Sequence, residues 1–112
     1  MSTDFNLTTE LINKTLVLKT DGYINNTGGE KIAGEFSKYV NIGLNKVIMD
    51  LEKSRVVNSI GISYLIEVIE QLSQSGGKMI FTNLDPTIEK TFKIMGLFQF
   101  AEKADSLELA LK

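Results

Sequence analysis

Residues 47–81 read VIMDLEKSRVVNSIGISYLIEVIEQLSQSGGKMIF. Two short apolar runs frame this stretch, Val47-Ile48-Met49 and Met79-Ile80-Phe81. Continuous runs of that length suit strands covered on both faces. Between them Ile62, Leu65, Ile66, Ile69 and Leu72 recur at helical spacing, while Ser63, Glu67, Glu70 and Gln71 fall away from that stripe. The spacing predicts a helix from about Ser59 to Ser73, ended by Gly76-Gly77, where a positive φ is cheap. Asp50 and Leu51 close the first strand, Glu52 to Arg55 form a charged connection, and Val56-Val57 turn back toward the core. The unit is therefore strand, helix, strand.

The flanks extend this alternation. Phe5 to Ile12 and Thr15 to Thr20 are β-rich, and Asn13-Lys14 is short enough to join them as a hairpin. Leu16 and Leu18 would face one side of that strand, Val17 and Lys19 the other. Asp21 to Asn26 reads as a loop. Thr27-Gly28-Gly29-Glu30 has the spacing of a capping box. The helix it opens sets Ile32, Phe36 and Val40 on one stripe with Ala33 beside it, and Asn41 to Gly43 end it. Downstream, Asp85-Pro86 pairs a good cap with a first-position proline. Ile88, Phe92 and Met95 then line the inner face of a helix stopped by Gly96. Leu97 to Phe100 suggests a short edge strand. Ser106 to Leu111 suggests a last helix with Leu107 and Leu111 turned inward. An opening hairpin followed by alternating helices and strands implies an α/β fold: one domain over residues 1–112, with a mixed sheet of four to five strands and about four helices.

Composition narrows the chemistry. The chain has 112 residues, 43% of them hydrophobic, with a net charge of −2 and neither cysteine nor histidine. That is enough apolar material for a core without staples. The absence of cysteine excludes disulfides and thiolate sites. The absence of histidine removes the commonest general base and metal ligand. Scattered lysines give no basic stripe, so nucleic acid is not an expected partner. No apolar stretch reaches membrane-spanning length. Met1-Ser2-Thr3-Asp4 is polar and acidic, unlike a signal peptide; a cytoplasmic location is expected.

Few residues remain for catalysis. Asp50 ends a central strand, where α/β sheets place ligands, but a loop-capping role explains it better than a catalytic one. Asp21 and Asp85 suit a turn and a helix cap. No serine can have a histidine partner, so a triad is excluded, and no metal or cofactor site is expected. Gly28-Gly29 lacks the rest of a phosphate-binding fingerprint and reads as a turn or cap. Ser59 lies at the start of the central helix, among backbone N–H groups that lack intrahelical acceptors. It caps that helix or, since Asn58 can do so instead, presents its hydroxyl to a partner. Gly61 is expected to leave the first turn open to that partner, with Ile60 or Ile62 at the rim.

Three stretches resemble the STAS domain family, in particular bacterial anti-sigma factor antagonists. They are Val47 to Leu51 followed by Val57 to Leu65, then Gly76 to Phe81, and then Asp85 to Phe98 with its Gly-Leu-Phe ending. The resemblance implies a non-enzymatic binding protein. Its partners would be an anti-sigma factor that is also a serine kinase, and a serine phosphatase. Capture of the first would free a sigma factor. Phosphorylation of the matching Ser59 would end the capture, and Gly61 matches the family glycine. The contact surface expected on this basis comprises Tyr23, Ile24, Asn25, Asn58, Ile60, Gly61 and Ile62. The chain differs from the family pattern at Asn25, Asn58, Ile60 and Ser63. An alternative within the family is a scaffold in a stress-signalling assembly, or a partner of a transporter.

Overall fold

The computed structural model describes residues 5–112; the polar start at Met1 to Asp4, read above as no signal peptide, lies outside them. Along the chain come β1 (Asn6–Ile12), β2 (Thr15–Asp21), α1 (Asn26–Ser37), β3 (Lys46–Lys53), α2 (Ser59–Gln74), β4 (Lys78–Thr82), α3 (Pro86–Ile94), β5 (Ala101–Ala104) and α4 (Leu107–Leu111). Two 3₁₀ turns, Val40–Ile42 and Leu97–Gln99, complete them. The strands form one sheet in the order β1-β2-β3-β4-β5. β1 runs antiparallel to β2 across the Asn13-Lys14 turn, and the other neighbours are parallel. The α/β class and the mixed sheet are as the sequence predicts. Among the described residues no helix is long and apolar enough to cross a membrane.

Strand alternation divides the apolar residues between two faces. Leu16, Leu18, Val47, Met49, Met79 and Phe81 face the main core, where Ile32 and Phe36 of α1, Leu65 and Leu72 of α2, and Ile88 and Phe92 of α3 close over them. Each such side chain contributes about 1.5–3 kcal/mol on burial. Phe81 and Phe92 meet with ring centroids 5.0 Å apart, and Phe98 closes the cluster edge-on. The opposite face carries a smaller cluster of Val17, Ile48 and Ile80 with Ala104 beside them, covered by Leu107 and Ala110 of α4.

Several local expectations are corrected. The cap of α1 is Asn25, whose Oδ1 accepts from the Gly28 N–H, rather than Thr27. That helix ends at Ser37, and Val40 packs on the core from a separate turn. Val56 is exposed and only Val57 turns inward, because an extended pair must alternate. Met95 is exposed, since the helix ends at Ile94 and Gly96 reverses the chain at φ +82°. Leu97–Gln99 is a turn, and the edge strand is Ala101–Ala104, recruited by pairing with β4 rather than by its own composition. Leu111 is exposed; the small Ala110 meets the sheet instead.

Candidate functional site

The loops after β2 and β3 meet at the carboxyl end of the parallel strands. There the chain adds a bridge outside the sheet proper, between Ile24 and Val57. The Ile24 N–H donates to the Val56 carbonyl at 3.0 Å, and the Asn58 N–H donates to the Ile24 carbonyl at 3.2 Å. Below them the hydroxyls of Thr20 and Ser54, both buried, share a hydrogen bond of 2.6 Å. The two loops are therefore one rigid unit, and each leads directly into a helix.

Both helices start on an asparagine cap. Asn58 Oδ1 accepts the Gly61 N–H at 2.8 Å, and Asn25 Oδ1 accepts the Gly28 N–H at 3.0 Å. Substituting Asn58 with Ala should cost about 1 kcal/mol of stability, read as a lowered denaturation midpoint, while the Asp variant should retain it. The first turns pack closely. A Cβ on Gly29 would lie 2.6 Å from the Tyr64 ring, and one on Gly28 2.9 Å from the Tyr23 carbonyl. Tyr64 also bonds Asn26 across the helices, at 3.4 Å. The pair therefore belongs to the capped first turn of α1, where Gly28 donates to the cap, and Gly29 is where α1 admits α2.

With the cap supplied by Asn58, Ser59 occupies the first helical position and is exposed. Among the described residues its hydroxyl takes no hydrogen bond; only its carbonyl is used, by the Ser63 hydroxyl at 3.0 Å. The N–H groups of Ser59 and Ile60 precede the first intrahelical acceptor and point outward. The first turn holds no acidic residue. An anion attached to Ser59 would meet the positive end of the helix dipole with no carboxylate in that turn to repel it.

The remaining site residues fall into three groups. Tyr23 and Ile60 are 39% and 51% exposed, and Val56 at 55% joins them. Sequence reading turned Val56 inward; its signal was the Val56-Val57 pair itself, of which one member had to face out. Ile24, Gly61 and Ile62 are buried, so the side chains of Ile24 and Ile62 lie beneath the contact surface expected of them. Gly61 is not an open approach either, because the Ile24 carbonyl stands where its Cβ would project. Asn25 and Asn58 are half-buried and committed as caps.

Asp50 is buried, and its Oδ1 accepts from the Glu52 N–H and from Asn83 Nδ2, each at 3.0 Å. Asp50 does not close the strand as expected, since β3 runs on through Glu52 and Lys53; its carboxylate instead ties β3 to the turn that follows β4. No group of three or more acidic residues among those described is placed to hold a metal ion.

The STAS domain model matches residues 6–110. The chain belongs to the STAS domain family. As a curated relative, this STAS protein has the Bordetella bronchiseptica protein named as the anti-sigma factor antagonist BtrV, 28% identical over 104 residues, which span 93% of this chain and 90% of that one. Solved structures share the fold at lower identity. An anti-sigma factor antagonist from Mycobacterium paratuberculosis superposes with a TM-score of 0.84 at 17% identity, over 99% of this chain and 94% of that one. The Bacillus cell fate determinant SpoIIAA in its phosphorylated form gives 0.73 at 23% identity, over 95% and 96%.

Proposed function

We propose that this STAS protein is an anti-sigma factor antagonist acting in the cytoplasm as a binding module, not as an enzyme. It captures an anti-sigma factor that is also a serine kinase and so frees a sigma factor. Phosphorylation of Ser59 ends the capture, and a serine phosphatase restores it. The observation that carries this reading is the free hydroxyl of Ser59 at the first position of α2, with capping delegated to Asn58. The name of BtrV and the phosphorylated form of SpoIIAA support the same direction.

The contact surface is the exposed rim of Tyr23, Val56 and Ile60 around Ser59. Apolar and aromatic side chains at the centre of such a patch are what a protein interface uses. Ile24, Gly61 and Ile62 hold this rim in place from beneath. The kinase moves the γ-phosphoryl group of ATP to the Ser59 oxygen, and that oxygen's proton leaves to a kinase base or solvent. In the free protein the N–H groups of the first turn receive the new charge, so the backbone stays as it is.

The test is direct. The intact chain, mixed with its cognate kinase and ATP, should gain the mass of one phosphate located at Ser59, and the Ser59→Ala variant should gain none. Failure to gain it, or a phosphate placed elsewhere, defeats the switch.

A further inference from the structure

Ser63 lies one helical turn beyond Ser59, and both are exposed. The Ser63 hydroxyl donates to the Ser59 carbonyl at 3.0 Å. In an α-helix that carbonyl already accepts the N–H four residues on, which is the N–H of Ser63 itself. The hydroxyl bond is therefore a second bond to the same oxygen. Giving it up leaves no backbone group without a partner.

A phosphate on Ser59 would find few other donors on its own helix. α2 reads SIGISYLIEVIEQLSQ and holds no lysine or arginine. Its first carboxylate, Glu67, stands eight residues on, about 12 Å along the axis. The Tyr64 hydroxyl is turned to Asn26 of α1. What remains within reach is neutral: the N–H groups of the first turn and the hydroxyl of Ser63. Side chains at i and i+4 are neighbours on a helix, about 5–6 Å apart at Cβ, and a phosphoryl group lengthens Ser59 by two bonds. Hydrogen bonds to an ionised acceptor are about twice as strong as neutral ones, so the hydroxyl gains by exchanging the carbonyl for the phosphate.

We propose that Ser63 is the positioning residue of the modified state: its hydroxyl leaves the Ser59 carbonyl and donates to a phosphate carried by Ser59. This rests on the reading of Ser59 as the phosphorylated residue. The bond holds the phosphate against α2. It also favours the dianion, because a hydrogen bond to the charged form favours that form. The second ionisation of the phosphate therefore moves to lower pH, and its full charge persists as the medium acidifies. Ser63 thus sets how much of the modified population carries the charge that keeps a partner away. Ser63 is among the positions where this chain departs from the family pattern.

The test uses the full chain with phosphoserine placed at position 59 during synthesis, titrated by phosphorus-31 magnetic resonance. Ser63→Ala should raise the proton affinity of the phosphate about twofold, moving its midpoint up by roughly 0.3 pH unit. Ser63→Thr keeps the hydroxyl and should titrate as the parent does. So should Ser73→Ala, at an exposed serine near the far end of α2. The titratable groups on the surrounding elements are Tyr23 and Arg55 in the two loops, Glu30 on α1 and Glu67 on α2. All four are the same in every variant, so the difference between titrations isolates the hydroxyl. The proposal is overturned if Ser63→Ala titrates with the parent. It is equally overturned if Ser63→Thr shifts as Ser63→Ala does, or if Ser73→Ala shifts as far. No kinase enters this experiment. A chain that shows the shift and yet gains no phosphate from its kinase keeps the contact and loses the switch; a chain that gains the phosphate and shows no shift keeps the switch and loses the contact.

Discussion

Ser59→Asp is expected to weaken binding to the anti-sigma kinase at least about tenfold, a loss of roughly 1.4 kcal/mol or more. A phosphate at the same oxygen should weaken it further. The free protein tolerates the charge, for the reasons that make helix starts anion sites: outward N–H groups at Ser59 and Ile60, a favourable dipole, and no acidic neighbour in the turn. The complex does not. Ser59 lies within the apolar rim of Tyr23, Val56 and Ile60. Closing a partner over that rim strips water from the charge, and an unpaired buried charge costs several kcal/mol. A phosphate adds about −1.5 to −2 charges, so its effect should exceed that of aspartate. Ser59→Ala removes only a hydroxyl and should bind as the unmodified chain does. Calorimetric titration of the three forms against the kinase, without ATP, checks the order. Equal affinities for Ser59→Ala and Ser59→Asp would mean that Ser59 lies outside the interface.

Gly61→Ala should destabilise the fold by about 3 kcal/mol or more, near the upper end for overpacking. The added methyl meets the Ile24 carbonyl oxygen, and that oxygen cannot step aside. It accepts the Asn58 N–H, while the Ile24 N–H is held by Val56. Relief would require the two loops to part, together with the caps they position. For a domain of this size the midpoint of thermal unfolding should fall by roughly 10–20 °C. Gly34→Ala is the matched control. It too is a helical glycine, but nothing lies within 4 Å of its added methyl, so it should stabilise slightly, by up to about 1 kcal/mol. If the two variants melt alike, the close approach at Gly61 is not a constraint.

Much of the fold is legible in short-range pattern. Ile62, Leu65, Ile69 and Leu72 mark α2 by spacing alone, and they are buried. Asp85-Pro86 marks the start of α3, where Asp85 accepts the Thr87 N–H. The Asn13-Lys14 hairpin is equally plain. What escapes is set by contacts distant in sequence. Asn25 and Thr27 are both competent caps, and Asn25 serves because Ile24 is pinned to the strand-like segment at Val56 and Val57. Ala101–Ala104 has no β signature and becomes a strand because β4 offers it an edge. The site divides in the same way. A presented serine at the head of α2 follows from local pattern. The burial of Ile24 and Gly61 does not, because inside and outside at this junction are decided by how the two loops meet, with the Ile24 carbonyl set against Gly61.

The carbonyl of Ile24 ties the starts of both helices to one point. A junction so fastened should keep one shape whether or not Ser59 carries the proposed phosphate. On the proposed function, a chain whose Ser59 has been cleared by a phosphatase should offer the next partner a competent surface at once, with no waiting time for recovery. The speed of the circuit would then be set wholly by how often its enzymes call.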